Sequence, residues 1–106
     1  MHDLIYVTAA SRQAALDIAR TLVRQRLVAC ANVIDGVTSV YWWDDRVNEG
    51  AEAVMVAKTR SDLTSAVIAR IKELHEYSCP CVVAFEIREG NPAFLDWISA
   101  ETLHIP

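Results

Sequence analysis

Leu27–Trp43, L-V-A-C-A-N-V-I-D-G-V-T-S-V-Y-W-W, decides how this chain folds. β-Branched and aromatic residues fill it, and these suit a pleated, half-buried surface. It follows directly on a helical pattern and runs far past the roughly 5–6 residues of an ordinary strand. A single domain of 106 residues is too small to cover it. At its far end Trp42 and Trp43 are adjacent, and neighbouring strand side chains point to opposite faces. If one indole enters the domain's own core, the other lies on a surface that only a second chain or a ligand would bury. The stretch therefore predicts assembly as well as a strand. Asp35-Gly36 inside it predicts a bulge or bend, because glycine takes backbone angles that other residues avoid.

Before it, Leu4–Ala9 reads as a strand apolar on both faces, hence central. Ser11 is a candidate N-cap, and Ala15, Ile18, Ala19, Leu22 and Val23 recur at helical spacing up to about Arg26. After it, the polar run Asp44–Gly50 predicts a turn into a third strand, Ala51–Thr59, and the two strands should form a hairpin. Ser61-Asp62 opens a second helix with Leu63, Ala66, Val67, Ile71 and Leu74 as its buried stripe. Pro80 cannot donate to a ladder, so a strand starts there and not before. In Cys81–Arg88 one face carries Cys81, Val83, Phe85 and Ile87, the other Val82, Ala84, Glu86 and Arg88; one is core and the other turns polar. Asn91 caps a short last helix with Pro92 at its first position and Phe94, Leu95 and Ile98 as its stripe.

The order βαββαβ plus a terminal helix is the ferredoxin-like split βαβ, an α+β fold with an antiparallel sheet, over a single domain of residues 1–106. Right-handed crossovers predict the first and third strands as a parallel central pair, which leaves the long second strand and the last strand as edges. An edge exposes unpaired backbone donors and acceptors and has to be covered or paired. This one lacks the charges and prolines that blunt edges, so pairing between chains is the economical expectation.

Composition narrows the function. The apolar fraction of 53% exceeds the usual ~45–50%, as shared subunit surfaces would require. A net charge of −4 without a basic stripe excludes a general nucleic-acid binder. Arg12, Arg20, Arg24 and Arg26 spread over a helix's polar face and read as solvated. Apolar runs break well before the ~18–20 residues of a membrane span, and Asp3 followed by a strand pattern is no signal peptide; the chain reads as cytoplasmic. Three cysteines do not build a disulfide framework, so reduced thiols or metal ligands are expected.

Leu27–Ile34, Thr38–Trp43, Glu52 with Val54–Thr59, His75 with Tyr77 and Pro80, and Phe94-Leu95-Asp96-Trp97-Ile98 together resemble the CutA family, the divalent-cation tolerance proteins. The motifs stand in the same order and spacing from Leu4 to Ile98. The resemblance implies a ferredoxin-like domain in a tight homotrimer joined at strand edges and hairpins, and a role in the response to metal ions. Asp45 stands where the family's hairpin usually has a turn glycine, Cys81 where a glutamate follows the proline, Glu76 where a proline follows the histidine, and Phe94 where a tyrosine is common.

Thiolate and imidazole are good copper or zinc ligands, so Cys30, His75, Cys79 and Cys81 are the metal candidates. The resemblance adds weight to Cys30 and His75, and soft ligation points to copper first, with other divalent cations open. Cys81 also reads as a small buried strand residue. His2 and His104 read as surface groups. A different class of reading is a trimeric sensor, similar in architecture to the PII signalling proteins, that binds a small metabolite or anion between chains. Tyr41, Trp42, Trp43, Glu52, Lys58, His75 and Tyr77 would then gather around a cleft, stacking surfaces and a cation included. A third pairs Cys30 as nucleophile with His75 as base, without any motif for a named reaction. An enzyme is therefore not expected.

Overall fold

The computed structural model describes residues 1–104. Four strands, β1 (His2–Ala9), β2 (Cys30–Trp43), β3 (Arg46–Arg60) and β4 (Val82–Ile87), form one sheet in the order β2-β3-β1-β4. Helices α1 (Arg12–Arg24) and α2 (Thr64–Leu74) are the crossovers, a 3-10 turn at Ser61–Leu63 leads into α2, and α3 (Pro92–Glu101) closes the described chain. The Ser11 hydroxyl accepts from the Ala14 N–H and the Asn91 side chain from the Ala93 N–H, so both caps satisfy amides that a first helical turn leaves unpaired.

β1 and β3 are antiparallel neighbours, with Ile5 opposite Ala57 and Val7 opposite Met55, and not the parallel pair expected from crossover handedness. The reason is that α1 carries the chain over one strand position, and β3 fills that gap. As the hairpin partner of β2, β3 must run against both neighbours. β2 and β4 are the edges, as expected.

Ile5, Val7 and Ala9 of β1, Ala53, Met55 and Ala57 of β3, Ala15, Ile18, Ala19 and Leu22 of α1, and Leu63, Val67 and Ile71 form the core. Leu74 packs against that core half-buried, while Ala66, expected in the stripe, is exposed. Alternation puts Leu4, Tyr6, Thr8, Val54, Val56, Val83 and Phe85 on the opposite face of the sheet. α3 reaches one end of that face, where His2 Nε2 lies 2.7 Å from Ser99 Oγ; His2 is thus half-buried and not a free surface group. In β4 it is Val82 that packs on the core, whereas Val83 and Phe85 are about half exposed. The apolar face of β4 points away from α1 and α2.

The hairpin turns more tightly than its polar sequence suggested. Asp44 (φ 52°) and Asp45 (φ 57°) form a two-residue turn in left-handed backbone, and β3 begins at once with Arg46. Asp tolerates those angles better than most residues, and this turn geometry matches strand twist. The Asn48 amide braces it by donating to the carbonyls of Trp43 and Arg46. The ladder slips between Ile34 and Val37, and Gly36 sits there at φ 74°, where the bulge was expected. β1 pairs with β3 only as far as Ala53, so residues 37–52 project beyond the sheet as a two-stranded arm. Neither indole of that arm enters the core: Trp42 is 73% and Trp43 55% exposed.

Candidate functional site

Where the arm leaves the sheet, it roofs a cleft of about 510 Å³ lined by Thr8, Ser39, Tyr41, Trp43, Glu52, Tyr77, Ser78, Cys79 and Cys81. Alternation explains the roof: Ser39, Tyr41 and Trp43 are i, i+2 and i+4 on one face of β2, while Val40 and Trp42 face away. β1 contributes Thr8 from its last turn of pleat and β3 contributes Glu52 just beyond the paired segment. The floor comes from the loop between α2 and β4.

That loop is held by His75. Its Nε2 lies 2.7 Å from the Thr8 carbonyl, and a carbonyl only accepts, so Nε2 carries the proton. Its Nδ1 accepts from the Tyr77 N–H at 3.1 Å. The ring also packs on Tyr77 with centroids 4.6 Å apart. Both ring nitrogens are thus committed inside the fold. Tyr77 then points its hydroxyl across the cleft, donating to Glu52 Oε2 at 2.9 Å. Burial first, and next that hydrogen bond and the charge of Glu52, push the Tyr77 phenol up to about 12. At neutral pH it is a fixed donor.

Of the four metal candidates, the structure brings Cys79 and Cys81 into the cleft as exposed free thiols. Cys81 is thereby not a packed strand residue. Cys30 is not with them: it begins β2 opposite Lys58, in the sheet row of Leu4 and not that of Thr8. His75 lies behind the cleft wall, 8% exposed, where it also borders a smaller cavity with Asp17, Thr21 and Glu76. Among the described residues no group of three or more His, Cys, Asp and Glu is placed to hold an ion within one chain. Tyr41, Trp43, Glu52 and Tyr77 line the cleft; Trp42 and Lys58 do not, and Lys58 Nζ is instead bonded to Asn32 Oδ1 at 2.8 Å. Thr8, Ser39 and Ser78 join the lining without having been marked in the sequence, since short polar residues carry no distinguishing signal there.

An α+β domain with a four-stranded antiparallel sheet, three helices and a ligand-sized cleft under a projecting hairpin is the class of protein this defines. Residues 3–101 match the model of the CutA1 divalent ion tolerance protein family, and the chain belongs to that family. It is 38% identical over 102 residues to the divalent-cation tolerance protein CutA of Thermus thermophilus, covering 96% of this chain and 99% of that one. It is 36% identical over 99 residues to the chloroplastic protein CutA 1 of Oryza sativa, covering 93% of this chain but 56% of that longer one. The chain thus spans little more than half of the plant relative. The solved Oryza sativa CutA1 structure superposes with a TM-score of 0.95 at 35% identity, over 98% of this chain and 95% of that chain. One from Archaeoglobus fulgidus, described as a periplasmic divalent cation tolerance protein, gives 0.92 at 38% identity over 95% and 98%.

Proposed function

We propose that this chain is a cytoplasmic, homotrimeric metal-response protein that takes up a divalent cation, copper first, in the cleft of Glu52, Tyr77, Cys79 and Cys81. The observation that carries it is that a carboxylate and two free thiols line one cleft. The relatives' names supply the cation. Thiolate donors favour copper and zinc over magnesium, and copper leads the divalent series at mixed sites. Among the described residues no three such groups are placed within one chain to hold an ion. The remaining positions fall to a neighbouring chain or to water, which ties uptake to assembly. Val40, Trp42, Val47, Val83 and Phe85 are all more than two-fifths exposed in the single chain, more apolar surface than a monomer keeps. The three free cysteines favour a reducing compartment. No helix among the described residues is long and apolar enough to cross a membrane.

Native mass spectrometry of the reduced protein, with and without copper, zinc and magnesium, reads assembly and uptake together. A trimer taking up one copper per chain, with uptake weakened by Glu52→Gln, is the expected result. A stable monomer, or a trimer indifferent to all three metals, overturns it.

A second reading, a metabolite sensor in the same cleft, is favoured by its aromatic walls and by a volume within the roughly 300–1,000 Å³ of small-molecule sites. Glu52 lines it and Lys58 does not, so a neutral or cationic molecule fits better than an anion. An unexplained small mass on a metal-indifferent trimer would select this reading. The Cys30–His75 catalytic pair lacks its contact, because both nitrogens of His75 are bonded elsewhere.

A further inference from the structure

We propose that Cys79 and Cys81 form a two-coordinate dithiolate site for a monovalent soft ion, Cu(I), distinct in chemistry from any divalent site that uses Glu52; the proposal rests on the reading that this cleft is where the protein meets metal. Three observations carry it. Both cysteines are free and exposed, and both line the same cleft. Pro80 between them has a fixed φ and disfavours helical backbone at Cys79, so the two thiols are presented by a short stiff segment and not by a wandering loop. Two residues of chain span at most about 7 Å, the outer edge of the separation a disulfide accepts. Both sulfurs are therefore within reach of one ion held between them.

The ligand count then selects the ion. Zinc in a closed structural site takes four protein ligands, and no third His, Cys, Asp or Glu joins the two thiols within the chain among the described residues. A closed-shell monovalent copper ion is satisfied by two thiolates in line and asks for no carboxylate or imidazole. The walls help. Tyr41, Trp43 and Tyr77 line the same cleft and give the pair aromatic surroundings. Binding releases the thiol protons and leaves copper's oxidation state unchanged, so no electron donor is required.

The test is an anaerobic titration of the full reduced chain with Cu(I) in competition with a chromophoric Cu(I) chelator, alongside X-ray absorption of the loaded protein. The expected result is one Cu(I) per chain, a two-sulfur linear signature, and an affinity that Cys79→Ser/Cys81→Ser lowers by more than the roughly 10–100-fold of an outer-shell change. Cys30→Ser should leave it within about 2-fold. Unchanged affinity in the double variant, or nitrogen or oxygen in the copper shell, overturns the proposal. Copper(II) and zinc are titrated in parallel. If they bind and depend on Glu52 while Cu(I) ignores the cysteines, the dithiolate site alone is wrong; if no metal binds at all, the cleft reading falls with it.

Discussion

His75→Ala separates a histidine that holds the fold from one that holds a metal. Removing the ring strands the Thr8 carbonyl and the Tyr77 N–H, now bonded to it at 2.7 and 3.1 Å. A buried polar group left unpaired costs roughly 1–3 kcal/mol. Thr8 and Tyr77 are half-buried, so water recovers part of that, and about 1 kcal/mol each is appropriate. Losing the ring contact with Tyr77 adds about 0.5–1.5 kcal/mol. The sum is about 3 kcal/mol. His75→Gln places an amide N–H near the position of Nε2 and should recover the Thr8 bond; His75→Asn places a carbonyl near Nδ1 and should recover the Tyr77 bond. Each should therefore lose about half as much as alanine. Urea unfolding at one fixed protein concentration measures this series, since the midpoint of an oligomer moves with concentration. Copper uptake by the asparagine variant should equal that of the unaltered chain. An alanine variant of undiminished stability that no longer takes up copper would refute the reasoning and make His75 a ligand.

Three further outcomes are expected. The Tyr77 phenol should ionise near pH 12 in a tyrosinate absorbance titration, and Glu52→Gln should lower that midpoint only partway, because burial is the larger cause. Since its folded value lies above the ordinary 10, its contribution to stability is complete below pH 10 and is lost as pH rises toward 12; unfolding free energy measured across that window should fall, and a flat profile would contradict it. Asp45→Gly should raise stability by about 0.5–1 kcal/mol, because left-handed backbone costs about 1–2 kcal/mol without glycine and glycine's entropy returns part of it. Val40→Lys should leave the single-chain fold within about 0.5 kcal/mol, since Val40 is 62% exposed there, while sedimentation shows the proposed trimer dissociated.

Most of the fold was legible because its side chains repeat at periods set by backbone geometry. Ala15, Ile18, Ala19 and Leu22 could bury only as one helical stripe, and the Ser11 and Asn91 caps announced their helices. Arg46–Gly50 is strand although its polar residues imitate a turn. In the projecting arm there is no core to demand apolar residues, and the β2 backbone pairs with β3 whatever side chains it carries. The burial side of β4 was hidden for a related reason. Alternation divides Val82 from Val83 but does not say which neighbour carries the helices, and both faces of this strand are apolar at that point.

The cleft tests a different kind of legibility, that of residue type against residue use. Glu52 and Tyr77 could be suspected from their chemistry, but their hydrogen bond joins positions 25 apart in the chain and exists only because the arm overhangs the α2–β4 loop. His75 shows the opposite case. Imidazole is as good a strut as a ligand, and the sequence does not say which; the decision lies with a Thr8 carbonyl at the end of a strand, a backbone group with no residue signature. Cys79 and Cys81 lie between these extremes. Their spacing across Pro80 was visible, and the fold adds the one fact spacing cannot hold, that both thiols open onto the same space. For this reason the cysteine pair, and not the histidine, is where metal chemistry in this chain is best sought.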